Sequence, residues 1–93
     1  MASEKVLENR LYDTVKKLGG LAIKIWCISF TGLPDRMLLM PGGKIWFVEL
    51  KSTGKKPSKR QPFVIAQLRK LGFTVFVIDT DEKLDLCIAQ ISE

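Results

Sequence analysis

Residues 32–51 read GLPDRMLLMPGGKIWFVELK, two apolar segments separated by a Pro41-Gly42-Gly43 turn. This pattern predicts a β-hairpin, whose return places Asp35 beside the end of the second strand. Because side chains alternate along a strand, Glu49 and Lys51 are expected on the same face. Two carboxylates and one ammonium group therefore converge, which suits a site that holds a divalent cation and activates water against a phosphodiester bond.

The length and composition of the chain indicate a single domain. Its 93 residues fit one domain spanning 1–93, and 46% of them are hydrophobic. A chain this short buries about two thirds of its unfolded surface, so some apolar surface is left for a partner subunit. The sequence shows neither the run of roughly 20 apolar residues that a membrane span needs nor a signal-peptide core. We expect a cytoplasmic location, in a bacterium or a phage-infected host.

Histidine is absent from the sequence, and this absence restricts the chemistry. It excludes Ser-His-Asp and Cys-His nucleophiles, histidine general bases and histidine-ligated metal nucleases. Two cysteines without histidine do not make a standard zinc site, and Cys27 and Cys87 are expected to be buried, reduced thiols. An enzymatic activity would therefore use carboxylates, lysine and a hard cation, Mg²⁺ or Mn²⁺.

The net charge of +5 is concentrated in one short segment. Outside residues 51–60 the basic and acidic residues are equal in number, whereas that segment holds no acid and five bases: Lys51, Lys55, Lys56, Lys59 and Arg60. The segment is consistent with a solvated basic loop or with a phosphate-binding surface beside the hairpin.

The first half of the chain predicts one helix and three strands. Ser3 is expected to cap a helix over residues 4–18, which the Gly19-Gly20 pair ends. Residues 21–28 predict a strand by their β-branched content, and strands over 37–40 and 44–50 form the hairpin. The last of these is nearly continuously apolar, as expected for a strand covered on both faces.

The second half predicts a helix, a strand and a further helix. Ser58 and Gln61 have the spacing of a capping box, which predicts that the helix begins at Ser58. A strand over 73–78 should lie parallel to the strand over 44–50, because a helix connects the two. The expected order is αβββαβα.

These motifs, in this order, resemble the PD-(D/E)xK nuclease signature, here Pro34-Asp35 and Glu49-Leu50-Lys51. More narrowly, the chain resembles the VRR-NUC family, the virus-type replication-repair nucleases, over residues 8–79. The resemblance rests further on Glu8, Gly19-Gly20, Lys24, Gly32-Leu33, Arg36, Pro41-Gly42-Gly43, Phe47-Val48, Ser58, Gln61 and Leu71-Gly72-Phe73. It implies an α/β fold with a restriction-endonuclease-like core, αβββαβ(α), in which helices flank a central mixed sheet.

The resemblance also implies roles for individual residues in the active site. Glu8 would be the acid of the first helix, with Glu4 as the alternative, although pattern alone leaves Glu8 either at the buried edge or facing water. Gln61 would contribute to the active site, or would serve only as a helix cap. A metal ion would be held by Asp35, Glu49, the carbonyl of Leu50, and Glu8 directly or through water. Lys51 would orient the nucleophile or stabilise the transition state.

DNA contacts are expected from six basic residues: Lys24, Arg36, Lys55, Lys56, Lys59 and Arg60. For two of them an alternative remains, since Lys24 fits a snorkelling lysine at a sheet edge and Arg36 fits an ion pair with an acid. The sequence shows no recognition helix and no basic-aromatic interleaving, so recognition of the DNA backbone and shape is expected.

The expected function is a metal-dependent, structure-specific endonuclease. The resemblance implies a homodimer that acts on branched DNA such as a four-way (Holliday) junction, because one site cuts one strand and a two-fold dimer suits four-way DNA. Two alternatives remain open: a catalytically idle DNA-binding or assembly module of the same fold, and a nuclease directed to flaps, nicks or ends.

Overall fold

A four-stranded sheet carries the fold in the computed structural model, which describes residues 3–52 and 59–93. The elements are α1 (Glu4–Lys17), β1 (Leu21–Lys24), β2 (Arg36–Met40), β3 (Lys44–Leu50), α2 (Gln61–Lys70), β4 (Thr74–Ile78) and α3 (Asp81–Ile91). The strand order is β1-β2-β3-β4, with β1–β2 and β2–β3 antiparallel and β3–β4 parallel. The mixed sheet and the αβββαβα order are as predicted.

Local sequence signals determine both ends of α1. The Ser3 hydroxyl accepts a hydrogen bond from the backbone N–H of Val6 at 3.1 Å. At the other end Gly19 has a φ of 82°, and the N–H groups of Gly19 and Gly20 donate to Lys16 and Val15. This Schellman arrangement satisfies the last helical carbonyls and turns the chain into β1, as the Gly-Gly pair predicts.

Two apolar layers enclose the sheet. Helices α1 and α3 pack on one face, where Leu7, Val48 and Leu84 are fully buried. Cys87 lies in the same layer, as expected, and burial raises its pKa to about 12. Helix α2 packs on the other face through Ile65 and is too short to cover all of it. None of the helices among residues 3–52 and 59–93 is long and apolar enough to cross a bilayer.

The predicted strand over 21–28 is too long, because β1 ends at Lys24. Lys24 pairs with Arg36, the first residue of β2, so β2 has no further residues for β1 to pair with. Beyond that point one backbone hydrogen bond continues the contact, from the Ile25 N–H to the Asp35 carbonyl at 3.0 Å. The chain then leaves the sheet, and Cys27 is exposed. The expectation of a buried Cys27 thiol is wrong.

The predicted start of α2 is also wrong. The helix begins at Gln61, and its N-cap residue Arg60 makes no side-chain capping bond. Ser58, the expected cap, lies outside the described residues. Strand β3 has its predicted bounds, but its first residues, Lys44 and Ile45, are exposed rather than covered on both faces.

Candidate active site

Two carboxylates meet where β2 begins and β3 ends. The backbone N–H of Asp35 donates to the Glu49 carboxylate at 2.9 Å, and the N–H of Leu50 donates to the Asp35 carboxylate at 3.4 Å. The backbone beside each acid therefore donates a hydrogen bond to the carboxylate of the other acid. The hairpin thus brings Asp35 beside the end of β3, where its turn was expected to place it.

The Glu49 carboxylate is buried, with 1% of the residue exposed, and each of its oxygens has a partner. One oxygen accepts the Asp35 N–H and, at 2.7 Å, the side-chain amide of Gln61. The other oxygen pairs with the Lys51 ammonium at 3.0 Å. Because an unpartnered buried charge is costly, these three donors are what allow a carboxylate at this position.

Gln61 joins α2 to the hairpin. Its side-chain amide donates to Glu49 and, at 3.2 Å, to the carbonyl of Leu33 just ahead of Asp35. Of the two roles that the sequence left open, this geometry favours the one in the site over the helix cap. The pairing requires α2 to dock on the sheet, so no local pattern could have shown it.

Lys51 remains charged in this environment. Its hydrogen bond to Glu49, together with the charges of Glu49 and Asp35, raises the pKa of the ammonium group. The side chain is 25% exposed, so the charge is accessible from solvent. Lys51 is therefore placed to attract an anion and not to accept a proton.

Asp35 shows the opposite shift. Burial and the negative charge of Glu49 raise the pKa of the Asp35 carboxyl to about 6, against a partly offsetting effect of Arg36. Burial and repulsion between the two carboxylates therefore disfavour the ionised form of Asp35 in the metal-free protein, and such a perturbed acid is a recurrent property of functional sites.

A buried ion pair connects α1 to the same centre. The Arg36 guanidinium, 6% exposed, pairs with Glu8 and, at 3.0 Å, with the Asp35 carboxylate. The hydrogen bond from Arg36 lowers the pKa of Glu8, and Lys5 adds a second contact at 3.2 Å. For Arg36 this placement favours the ion pair over a DNA phosphate contact. It also favours Glu8 over Glu4 as the α1 acid linked to the site.

Tyr12 is a neighbour of this ion pair that the sequence reasoning missed. Burial raises the pKa of its hydroxyl, which also lies in the fields of Arg36 and Glu8. It is on the same face of α1 as Glu8, one helical turn further on. In the sequence, a tyrosine beside an apolar stripe predicts only a residue of the hydrophobic core.

The other predicted DNA-binding residues have different positions. Lys24 is exposed on β1, directly opposite Arg36 in the strand register, and Lys59 is exposed ahead of α2. The Arg60 side chain donates to the carbonyl of Thr31 at 2.9 Å and lies over the Phe30 ring, 5.5 Å from its centre. Lys55 and Lys56 fall outside the described residues.

The donor set fits a hard divalent cation. The carboxylates of Asp35 and Glu49 are oxygen ligands that repel one another in the free chain, and a bound cation would relieve that repulsion. Within residues 3–52 and 59–93, no three acidic or cysteine side chains gather into a metal-binding group. Glu8 is already paired with Arg36, so the remaining ligands would be a backbone carbonyl and water.

Comparison with known proteins finds similar chains both among named proteins and among solved structures. A protein described as "Putative nuclease p44", from Acyrthosiphon pisum secondary endosymbiont phage 1, is 40% identical over 79 residues, which cover 85% of each chain. A solved structure described as "VRR_NUC domain" superposes with a TM-score of 0.83 at 31% identity, covering 95% of this chain and 97% of the other. No family model matches the chain. Both relatives match most of the chain.

The raised pKa of Asp35 makes a prediction about stability in the metal-free protein. A carboxyl whose folded pKa is raised contributes stability that is complete below its unfolded value of 3.8 and is lost as the pH rises through about 6. Asp35→Asn keeps the neutral form at every pH. With a chelator present, we expect the Tm of the variant to exceed that of the wild type at about pH 8 and this advantage to shrink toward about pH 4.

Asp13→Asn, at an exposed position of α1, is the matched control and should give the same small Tm difference at both pH values. An advantage of Asp35→Asn that does not change with pH would show that the carboxyl is not destabilised by its surroundings.

The Glu8–Arg36 pair makes a second prediction. Glu8→Leu leaves a buried guanidinium without its main partner and should lower the free energy of unfolding by about 3 kcal/mol, measured by urea denaturation. Adding Arg36→Met should restore much of this loss. Lys5→Met, which removes only the exposed contact to Glu8, should change stability by about 0.5 kcal/mol or less. Equal losses for the two single variants would contradict the pairing.

Proposed function

The chain belongs to the VRR-NUC family of nuclease domains, and from this premise we propose that it is a metal-dependent endonuclease that cuts branched DNA, such as four-way junctions, as a homodimer. One observation carries the proposal: the carboxylates of Asp35 and Glu49 and the ammonium of Lys51 converge in a partly open site. The start of β2 and the end of β3 supply this set, and the raised pKa of Asp35 means that the set carries a destabilised carboxylate.

The proposed cofactor is Mg²⁺ or Mn²⁺, held by Asp35, Glu49 and the carbonyl of Leu50. When bound, such an ion polarises the phosphate and lowers the pKa of water toward neutrality. Glu8 is given a positioning role in place of the ligand role expected from the sequence, because its carboxylate is engaged by Arg36.

The chain's own residues would orient and stabilise the reacting groups. The Asp35 N–H and the Gln61 amide fix one oxygen of Glu49, and Arg36 fixes the Asp35 side chain. Lys51 stays protonated near neutral pH because its pKa is raised, so it would stabilise the negative charge that develops on the phosphate. The exposed Lys59 would attract the DNA backbone.

An exposed apolar surface supports the homodimer. The register places Leu21, Ile23 and Ile45 on the face of the sheet that α2 covers only in part, and they are 57%, 36% and 42% exposed. We call these three residues the bare sheet face. A second copy related by a two-fold axis would bury the same patch twice and would provide two active sites for two strands.

Removal of the Lys51 charge should slow catalysis strongly. With Mn²⁺ and a synthetic four-way junction, we expect Lys51→Met and Asp35→Asn each to lower the cutting rate by about 10²-fold or more, measured on denaturing gels. Lys44→Met is the matched control, because Lys44 is exposed and begins β3, whereas Lys51 directly follows the last residue of that strand. This control should cut normally.

The alternatives predict other results in the same assay. Absence of cutting by the wild type on junction, flap and nicked substrates would favour an idle DNA-binding module. Cutting of flaps or nicks without paired, symmetric cuts in the junction would favour an enzyme directed to those structures.

The bare sheet face makes a prediction about assembly. Ile45→Lys places a charge in the proposed interface and should convert the dimer to a monomer in sedimentation equilibrium, with paired junction cuts replaced by single nicks. Leu86→Lys, at a 70% exposed apolar position on α3, is the control and should remain dimeric. A wild-type chain that is monomeric, or an Ile45→Lys variant that stays dimeric, would exclude this interface.

A further inference from the structure

Between β1 and β2, residues 25–33, here called the 25–33 loop, expose large apolar side chains to water. Trp26 is 87% exposed and Ile28 is 85% exposed, while Phe30 is partly covered. Exposure of two such side chains in one short segment is unfavourable, and clustered exposed apolar residues generally mark a binding surface.

The loop is held in place at both ends. The Ile25 N–H bonds to the Asp35 carbonyl at 3.0 Å, and Arg60 binds both the Thr31 carbonyl and the Phe30 ring. Gly32, with a φ of +91°, presses against α2 so closely that a Cβ atom would lie 2.8 Å from side-chain atoms of Arg60 and Val64. Trp26 and Ile28 therefore project from a segment whose two ends are tied to the fold.

These side chains line an open hollow of suitable size and chemistry for one flat ring. Its volume is about 330 Å³, and its lining includes Ile25, Trp26, Ile28, Phe30 and Leu33. This volume is near the lower limit of the pockets that hold small organic groups. It would admit a single aromatic ring system and is too small for a helix or a peptide segment.

The hollow adjoins the catalytic centre. Ile25 at one end of the loop is hydrogen-bonded to Asp35 through the backbone, and Leu33 at the other end accepts a hydrogen bond from Gln61, which also binds Glu49. Two residues that line the hollow are thus hydrogen-bonded to residues of the site.

The charge around the loop favours nucleic acid over a second protein copy. Residues 19–34 contain no acidic residue, and the exposed Lys24 directly precedes the loop. On the side of α2, the exposed Lys59 precedes Arg60, whose side chain binds the loop at Thr31. A phosphate backbone at the loop would therefore meet cations and no carboxylate from the loop itself. Most of the bare sheet face, represented by Leu21 and Ile45, lies at the opposite ends of the strands.

We propose that the 25–33 loop binds one unstacked nucleobase of the DNA beside the scissile phosphate, with Trp26 and Ile28 as its principal contacts. This proposal rests on the proposed nuclease function and deepens it. A paired base must be extruded from the stack before it can enter the hollow, whereas a base at a branch point or bulge is already partly free. The loop would then select branched DNA, in addition to the recognition of backbone and shape expected from the sequence.

The test measures binding apart from cleavage. In an Asp35→Asn background, the full chain is titrated with two duplexes of one sequence, one fully paired and one with a single-nucleotide bulge that carries the fluorescent base 2-aminopurine. We expect tighter binding to the bulged duplex and a fluorescence change as the base stacks on Trp26. Trp26→Ala should weaken binding to the bulged duplex about tenfold and leave the paired duplex unaffected, while Trp26→Phe should keep most of the preference.

Leu86→Ala, an exposed apolar position on α3, is the matched control and should keep the full preference. Unchanged discrimination in Trp26→Ala would overturn the proposal. Equal loss of binding to both duplexes, together with a lower mass in sedimentation, would also overturn it and would identify the loop as a contact between copies. A wild-type chain that prefers the bulge but cuts no DNA would contradict only the nuclease function, so the two failures are distinguishable.

Discussion

The structure depends on how the Glu49 carboxylate is accommodated in the interior. Moving a carboxylate out of water costs several kcal/mol unless donors replace the solvent. Here the donors are the Asp35 N–H, the Gln61 amide and the Lys51 ammonium, which come from the start of β2, the start of α2 and the end of β3. The hairpin register and the docking of α2 must both be correct for all three to reach it, so burial of one charge couples three segments.

Burial and charge together explain the rest of the site. Glu49 is paired with Lys51, whereas burial and the charge of Glu49 leave Asp35 with a raised pKa that Arg36, which also binds Glu8, only partly offsets. Replacing Asp35 by a neutral residue would make the fold more stable and less able to attract a cation. The site therefore shows the usual opposition between stability and function, in which the destabilised group is the one that a ligand would stabilise.

Two apolar surfaces are left uncovered for separate physical reasons. The bare sheet face is exposed because α2 is too short to cover β1 and the first half of β3. The 25–33 loop is exposed because β1 loses its partner strand beyond Lys24, after which Trp26 and Ile28 have no layer to pack against. A domain of 93 residues has little interior to offer, and its uncovered apolar side chains lie where partners can reach them.

Features that depend on neighbouring residues could be predicted from the sequence: the caps of α1, the hairpin turn, the bounds of β3 and the approach of Asp35 to Glu49. The tertiary structure alone decided the end of β1, the exposure of Cys27 and the partner of Gln61. It likewise decided the pairing of Arg36 with Glu8 across 28 residues. Caps, turns and alternation follow from bonds within a few residues, whereas where a strand ends and which buried charges pair depend on elements that meet only after the chain has folded.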